Sequence, residues 1–148
     1  MSSSGADQRY TDIKLLFEHG DPAEPLLSAC YQAVTEFPTE SRFWLLSSRI
    51  LQKLEKPEEA RKDINQALQF EPFNVDYNFQ LFNVLVQQGE TEMIPRRINW
   101  LFENGPQEIK IEIAGYALTA IESGLFSKLE LVNAALSSII RLKSSDQS

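Results

Sequence analysis

The sequence predicts an all-helical protein built from repeated helix-turn-helix units, and three observations support this fold class. Three prolines, Pro38, Pro72 and Pro106, stand 34 residues apart. Between them, apolar residues recur mainly at the three- and four-residue spacing of amphipathic helices, for example at Phe43 and Leu46. Glycine or proline interrupts each interval near its middle. A fixed period of this length indicates a helical repeat array.

Cutting the chain two residues after each proline gives four units, 7–40, 41–74, 75–108 and 109–142. Each unit is expected to hold two helices, because turn residues separate two apolar-periodic halves. The predicted helices are roughly 7–19, 23–36, 40–54, 57–70, 74–88, 91–103, 107–122 and 126–142. The remaining residues are expected to form a disordered N-terminal tail, 1–6, and a polar C-terminal tail, 143–148.

Unit two carries the clearest pattern of bulky, small and proline residues: Trp44, Leu51, Ala60, Ile64, Ala67 and Pro72. At these positions it resembles the tetratricopeptide repeat family. Unit two departs from the family at Ser47 and Ser48, where the family favours leucine and glycine. Units one and three match less closely, and unit four lacks the closing proline. The resemblance covers residues 7–142 and implies one right-handed α-solenoid that binds other proteins in a concave groove.

Composition narrows the class of partner and the compartment. The formal charge is −7, from 21 acidic and 14 basic residues, which argues against a general nucleic-acid binder. No apolar run is long enough to span a membrane. The single cysteine, Cys30, allows no internal disulfide and fits a reducing compartment, so we expect a cytoplasmic protein.

The sequence shows no arrangement of residues typical of catalysis or metal binding. His19 is the only histidine, so a site with two histidine ligands cannot form. His19 and Cys30 fall on different predicted helices, and the cysteine occupies an apolar position typical of a small buried side chain. We therefore expect a protein that is not an enzyme, with no catalytic residue, no cofactor and no metal.

A candidate partner site follows from the resemblance, because in that family the first helix of each hairpin lines the groove. The implied site residues are Arg42, Leu45, Arg49, Lys53, Phe79, Gln80 and Asn83. Guanidinium and amide groups suit a carboxylate, and the apolar members suit an apolar side chain, so an acidic or carboxylate-bearing peptide is the expected ligand. The alternative is that the three cations form a solvated helix face balanced by nearby glutamates.

Three functions remain open on the sequence. The first is an adaptor or co-chaperone that holds a segment of a protein partner. The second is a regulatory or targeting domain of a larger enzyme, and the third is a self-associating structural module. The third draws support from unit four, whose two helices carry more apolar residues than packing within the hairpin and against unit three requires. A homodimer through this unit or a neighbouring protein would cover them; the alternative is that the last helix serves as its own cap.

Overall fold

Eight helices follow one another in the computed structural model, which describes residues 2–146. They are α1 (Ser2–His19), α2 (Ala23–Glu36), α3 (Arg42–Lys53), α4 (Pro57–Phe70), α5 (Val75–Gln88), α6 (Met93–Asn104), α7 (Gln107–Glu122) and α8 (Lys128–Asp146). No strand occurs in this part of the chain. The predicted all-helical fold class is therefore confirmed. None of the eight helices is both long and apolar enough to cross a bilayer.

Both chain ends are more helical than the sequence indicated. Helix α1 begins at Ser2, inside the segment predicted to be a disordered tail. Ala6 is fully buried, and a methyl group placed on Gly5 would lie 3.6 Å from the ring of Phe37. Packing against the core therefore holds this segment in a helix. Helix α8 likewise continues to Asp146 through most of the predicted polar tail, while residues 1, 147 and 148 lie outside the described part.

The turn after each odd-numbered helix contains a residue in the left-handed backbone region. Three of these residues are glycines, Gly20 (φ 95°), Gly89 (φ 75°) and Gly124 (φ 80°). The fourth is Glu55, with φ 60°, although a side chain at this φ crowds the backbone. Four equivalent turns at nearly constant spacing are the structural counterpart of the repeat seen in the sequence.

The ends of α2, α4 and α6 also repeat. In each, the residue before a periodic proline donates its backbone N–H to the carbonyl four residues earlier, which closes the last helical turn. The pairs are Phe37 to Ala33 (2.7 Å), Glu71 to Ala67 (3.1 Å) and Gly105 to Leu101 (2.8 Å). Because a residue that precedes proline disfavours the helical region, the helix stops there each time.

The described chain divides into two compact units, the first ending at Gln88 and the second beginning at Gly89. In the first unit, α3 packs against α2 and α4, and it also contacts α1 and α5. Phe43 on α3 is fully buried, with its ring 6.0 Å from that of Tyr10 and 6.1 Å from that of Phe37. These aromatic contacts tie α1 and the end of α2 to the central helix.

In the second unit, α6 packs against both α7 and α8. Its inner side chains Ile94, Ile98 and Leu101 are fully buried. Asn99, also on α6, donates from Nδ2 to the carbonyl oxygen of Leu131 on α8, at 2.8 Å. Helix α8 is therefore anchored to α6 by a polar contact as well as by apolar packing.

Candidate partner-binding groove

Helices α1, α3 and α5 lie side by side in the first unit, since α3 contacts both of the others. We define the groove face as six residues of these helices that are exposed or half-buried: Leu15 on α1, Arg42, Arg49 and Lys53 on α3, and Phe79 and Asn83 on α5. Residues 42, 49 and 53 fall on one side of α3, because seven and eleven residues are close to two and three helical turns. The face thus combines the surface-reaching members of the predicted site with one exposed leucine.

Arg42 is already engaged within the protein. Its guanidinium lies 2.6 Å from Asp7 Oδ1 and 3.3 Å from Glu40 Oε2, and it covers the ring of Tyr10 at 4.9 Å from the centroid. Burial alone would lower the pKa of Arg42, but the bond to Asp7 and the charge of Glu40 outweigh it, and the pKa is raised. Two carboxylates therefore compete with any ligand for this cation.

Lys53 and Arg49 differ in what they contact. Lys53 is exposed, and its Nζ lies 5.3 Å from the ring centroid of Phe17 on α1. Arg49 is half-buried and makes no ion pair with any residue in 2–146. Lys53 likewise forms no ion pair within these residues, so both cations are without a carboxylate partner there, and Arg49 is the less exposed of the two.

Leu45 and Gln80 form the floor beneath the groove face rather than part of its surface. Leu45 is 4% exposed and Gln80 is 3% exposed. The Gln80 amide donates from Nε2 to Ser48 Oγ at 3.2 Å and to Gln52 Oε1 at 3.0 Å, which links α5 to α3. Ser48 Oγ in turn donates to the carbonyl oxygen of Ala60 on α4, at 2.8 Å. These two predicted site residues thus hold the helices together.

The α5 side of the groove face provides an aromatic ring and an amide. Phe79 is half-buried, with its ring centroid 6.4 Å from that of Phe82, and Asn83 is exposed. Two further rings, Tyr10 and Phe17, lie beneath the cations of α3 and were not among the predicted site residues. Their seven-residue spacing on α1 was the available signal, because it places both on one side of that helix.

A second cluster of polar groups lies between α2, α3 and α4. Asp63 is 7% exposed, and its Oδ2 accepts hydrogen bonds from Tyr31 Oη at 2.7 Å and Ser47 Oγ at 2.8 Å. Burial raises the pKa of Asp63, although both hydrogen bonds act to lower it. Burial, with a smaller contribution from Asp63, also raises the pKa of Cys30 to about 12, so this thiol stays protonated at neutral pH.

His19 and Cys30, the two residues considered for catalysis and metal binding, lie in different environments. His19 is exposed and its Nδ1 lies 2.7 Å from Asp21 Oδ1, whereas Cys30 is fully buried in the core. Within the described residues, no group of three or more histidine, cysteine, aspartate or glutamate side chains is arranged to hold a metal ion.

Comparison with known proteins gives structural likenesses only. No family model matches the chain, and no curated protein matches it. The structure of SycD, a type III secretion translocator chaperone of Yersinia enterocolitica, is similar with a TM-score of 0.63 and 19% identity, over 82% of this chain and 86% of that one. At this identity the likeness shows the fold. The likeness agrees with the predicted helical-repeat architecture.

Two further SycD structures match over more of the chain. One contains SycD in complex with a peptide of the translocator YopD, and the other shows SycD in an alternative dimer. Each has a TM-score of 0.61 and 15% identity, and each likeness covers 91% of this chain and 95% of the other. The shared fold therefore extends over nearly all of both proteins.

Proposed function

We propose that this protein is a chaperone or adaptor without enzymatic activity that binds a segment of a partner protein on the groove face. The similar fold of SycD, one structure of which holds a peptide, supports this class of function. We also propose a cytoplasmic location, which suits the single buried thiol of Cys30. The bound segment is proposed to carry a carboxylate next to an apolar side chain.

The observation that carries the proposal is that Arg49 is half-buried and forms no ion pair with any residue in 2–146. A guanidinium that is partly withdrawn from water loses hydration, and a carboxylate partner restores the lost interactions through charge-assisted hydrogen bonds. The neighbouring Arg42 already has Asp7 and Glu40 as partners. The gain in binding free energy for an incoming carboxylate is therefore expected to be larger at Arg49 than at Arg42. Lys53, one turn further along α3, adds a second positive charge at the exposed rim.

Leu15 and Phe79 supply the apolar part of the proposed site. Leu15 is 58% exposed on α1, and Phe79 is half-buried on α5, so they flank the cations of α3 on either side. Burying such side chains against a partner is favourable in proportion to the apolar area removed from water. A segment with alternating acidic and apolar residues would therefore match both parts of the face.

Peptide display offers a direct test that needs no knowledge of the natural partner. Random peptides would be selected on the wild-type protein, and their affinity would then be measured for Arg49→Glu combined with Lys53→Glu. We expect selected peptides to be rich in acidic residues and the double variant to bind them at least about tenfold more weakly, because truncated interface charge pairs cost about 2–5 kcal/mol and rim charges less.

The matched control is Lys56→Glu combined with Lys62→Glu, which makes the same change in net charge at two exposed positions outside the groove face. This control should keep wild-type affinity. Equal weakening in both double variants would mean that net charge alone governs binding. Unchanged affinity in the Arg49 and Lys53 variant would mean that Arg42, Arg49 and Lys53 form only a solvated helix face.

A further inference from the structure

Asp7, near the start of α1, places a carboxylate on one cation of the groove face. Arg42 Nη2 donates to Asp7 Oδ1 at 2.6 Å, although the two residues belong to different helices. The same guanidinium covers the ring of Tyr10, which lies three residues after Asp7 on α1. An acid of the protein itself therefore stands where a ligand carboxylate would bind Arg42.

The pair between Asp7 and Arg42 is open to water. The Asp7 side chain is 61% exposed and that of Arg42 is 33% exposed. Exposed ion pairs contribute little free energy, because water and salt compete for both charges. Asp63 differs from Asp7 in this respect, since it is buried and accepts two hydrogen bonds from side chains. Asp7 is thus an acid that an external carboxylate can replace at small cost.

Packing of α1 keeps the Asp7 carboxylate close to Arg42. The preceding residue, Ala6, is fully buried, and the ring of Tyr10 packs edge-on against that of Phe43 with centroids 6.0 Å apart. Because the core holds α1 on both sides of Asp7 along the chain, a displaced carboxylate stays within reach of the guanidinium. A tethered group of this kind competes at an effective concentration that geometry sets and protein concentration does not change.

Glu40 gives Arg42 a second carboxylate contact. Its Oε2 lies 3.3 Å from the same Nη2 atom that bonds Asp7. The Glu40 side chain is 30% exposed, about half as much as that of Asp7, and its backbone N–H donates to the carbonyl oxygen of Phe37 at 3.0 Å. Arg42 therefore keeps one carboxylate nearby while Asp7 is exchanged for a ligand, so its charge is not left unpaired during the exchange.

We propose that Arg42 is a second carboxylate-binding position of the groove face, and that Asp7 occupies it until an acidic residue of the bound segment takes its place. This inference rests on the proposed function, because it concerns how the groove face binds an acidic segment. Arg42 precedes Arg49 by seven residues, which is about 10 Å along α3. The preferred ligand is therefore a segment with two acidic residues whose carboxylates lie about that far apart. A segment with one acidic residue binds at Arg49 and Lys53 and leaves Asp7 in place.

Peptide affinities measured on the full chain test the role of Asp7. The probes are peptides selected on the wild type that carry at least two acidic residues. Asp7→Asn should bind them about two- to fivefold more tightly than the wild type, because the contact that the peptide must break is an exposed ion pair. In an Arg42→Gln background the same substitution should change nothing, since the second position is lost. Glu24→Gln removes the same charge at an exposed position of α2 and should keep wild-type affinity.

Amide replacement within a selected peptide identifies the acid that binds Arg42. Each acidic residue of the peptide would be changed in turn to its amide. For one of them, the change should abolish the difference in affinity between Asp7→Asn and the wild type. If circular dichroism shows that Asp7→Asn has lost helicity, Asp7→Ala replaces it, because alanine removes the carboxylate and favours helix.

Two results would overturn the role of Asp7. One is equal affinity of Asp7→Asn and the wild type, and the other is an equal gain with and without Arg42, which would reflect net charge alone. Failure of the proposed function is distinguishable, because the variant that combines Arg49→Glu with Lys53→Glu would then bind acidic peptides as tightly as the wild type. If that variant binds weakly while Asp7→Asn behaves as the wild type, only the role of Asp7 is wrong. A wild type that selects no acidic peptides would contradict both proposals.

Discussion

Asp63 holds a carboxyl group almost out of contact with water, between the hydroxyls of Tyr31 and Ser47. Burial raises its pKa above the ordinary aspartate value, so the folded state binds a proton more tightly than the unfolded chain does. The stability that comes from this proton is present at acidic pH and is lost as the pH rises through the folded pKa. Asp63 therefore opposes folding once it is ionised.

Replacement of Asp63 by asparagine keeps the shape of the side chain and removes its charge. We expect the unfolding free energy of the wild type, relative to Asp63→Asn, to fall as pH rises from the ordinary aspartate pKa toward neutrality. Urea unfolding at a series of pH values measures the difference. Glu58→Gln, at an exposed position on the same helix, is the control and should show no such trend. A pH-independent difference for Asp63→Asn would contradict the assignment.

The predicted site residues show how far side-chain position can be inferred without a structure. Repeat position places a residue on the correct side of its helix, and Arg49, Lys53 and Asn83 do reach the surface. Repeat position does not tell how deeply a side chain is buried, because burial depends on how closely the neighbouring helices approach. Gln80 was assigned to the groove by its repeat position, but it is buried, and Ser48 and Gln52 satisfy its hydrogen bonds in the interior.

At the scale of the helices, the predicted helix ends agree with the structure where nearby glycine or proline residues determine them. Helices α2, α4 and α7 have the bounds that the sequence predicted, and α3, α5 and α6 differ from them by at most two residues. Glycine and proline set these ends through backbone geometry alone. Helix α1 begins at Ser2 rather than at residue 7, although Ser2–Gly5 has the composition of a tail. Ala6 is buried in the core, a tertiary effect that the sequence pattern does not reveal.

The turn after α3 offers a test of the repeated backbone geometry. Glu55 occupies at φ 60° the place that glycine holds in the other three turns. Glu55→Gly should stabilise the protein by up to about 1 kcal/mol, because glycine adopts this conformation without crowding, although its freer unfolded chain offsets part of the gain. Thermal unfolding would measure the shift.

Glu55→Ala separates the backbone effect from loss of the side chain. Alanine keeps the Cβ atom that crowds the left-handed conformation, so this variant should not gain stability. Equal melting temperatures for the glycine and alanine variants would show that backbone crowding at residue 55 is negligible.

For the whole molecule, peptide binding on the groove face should link stability to ligand concentration. A peptide that binds only the folded chain stabilises the folded state by mass action. We expect the Tm of the wild type to rise by about 3–6 °C for each tenfold increase in a selected acidic peptide above its Kd, the scale that a chain of this length gives for a change of roughly 1.4 kcal/mol. The variant that combines Arg49→Glu with Lys53→Glu should show a smaller rise. Scanning calorimetry at several peptide concentrations would distinguish the two behaviours.

The hydrogen bonds beneath the groove face have a consequence for how a ligand would bind. Ser48 joins α3 to α4 and α5 at once, and Gln87 adds a bond to the carbonyl of Gln52, so the three helices are fixed in register before any ligand arrives. A rigid receptor leaves most of the loss of conformational entropy to the peptide. Stiffening the peptide in its bound shape should therefore tighten binding more than any further stiffening of the protein.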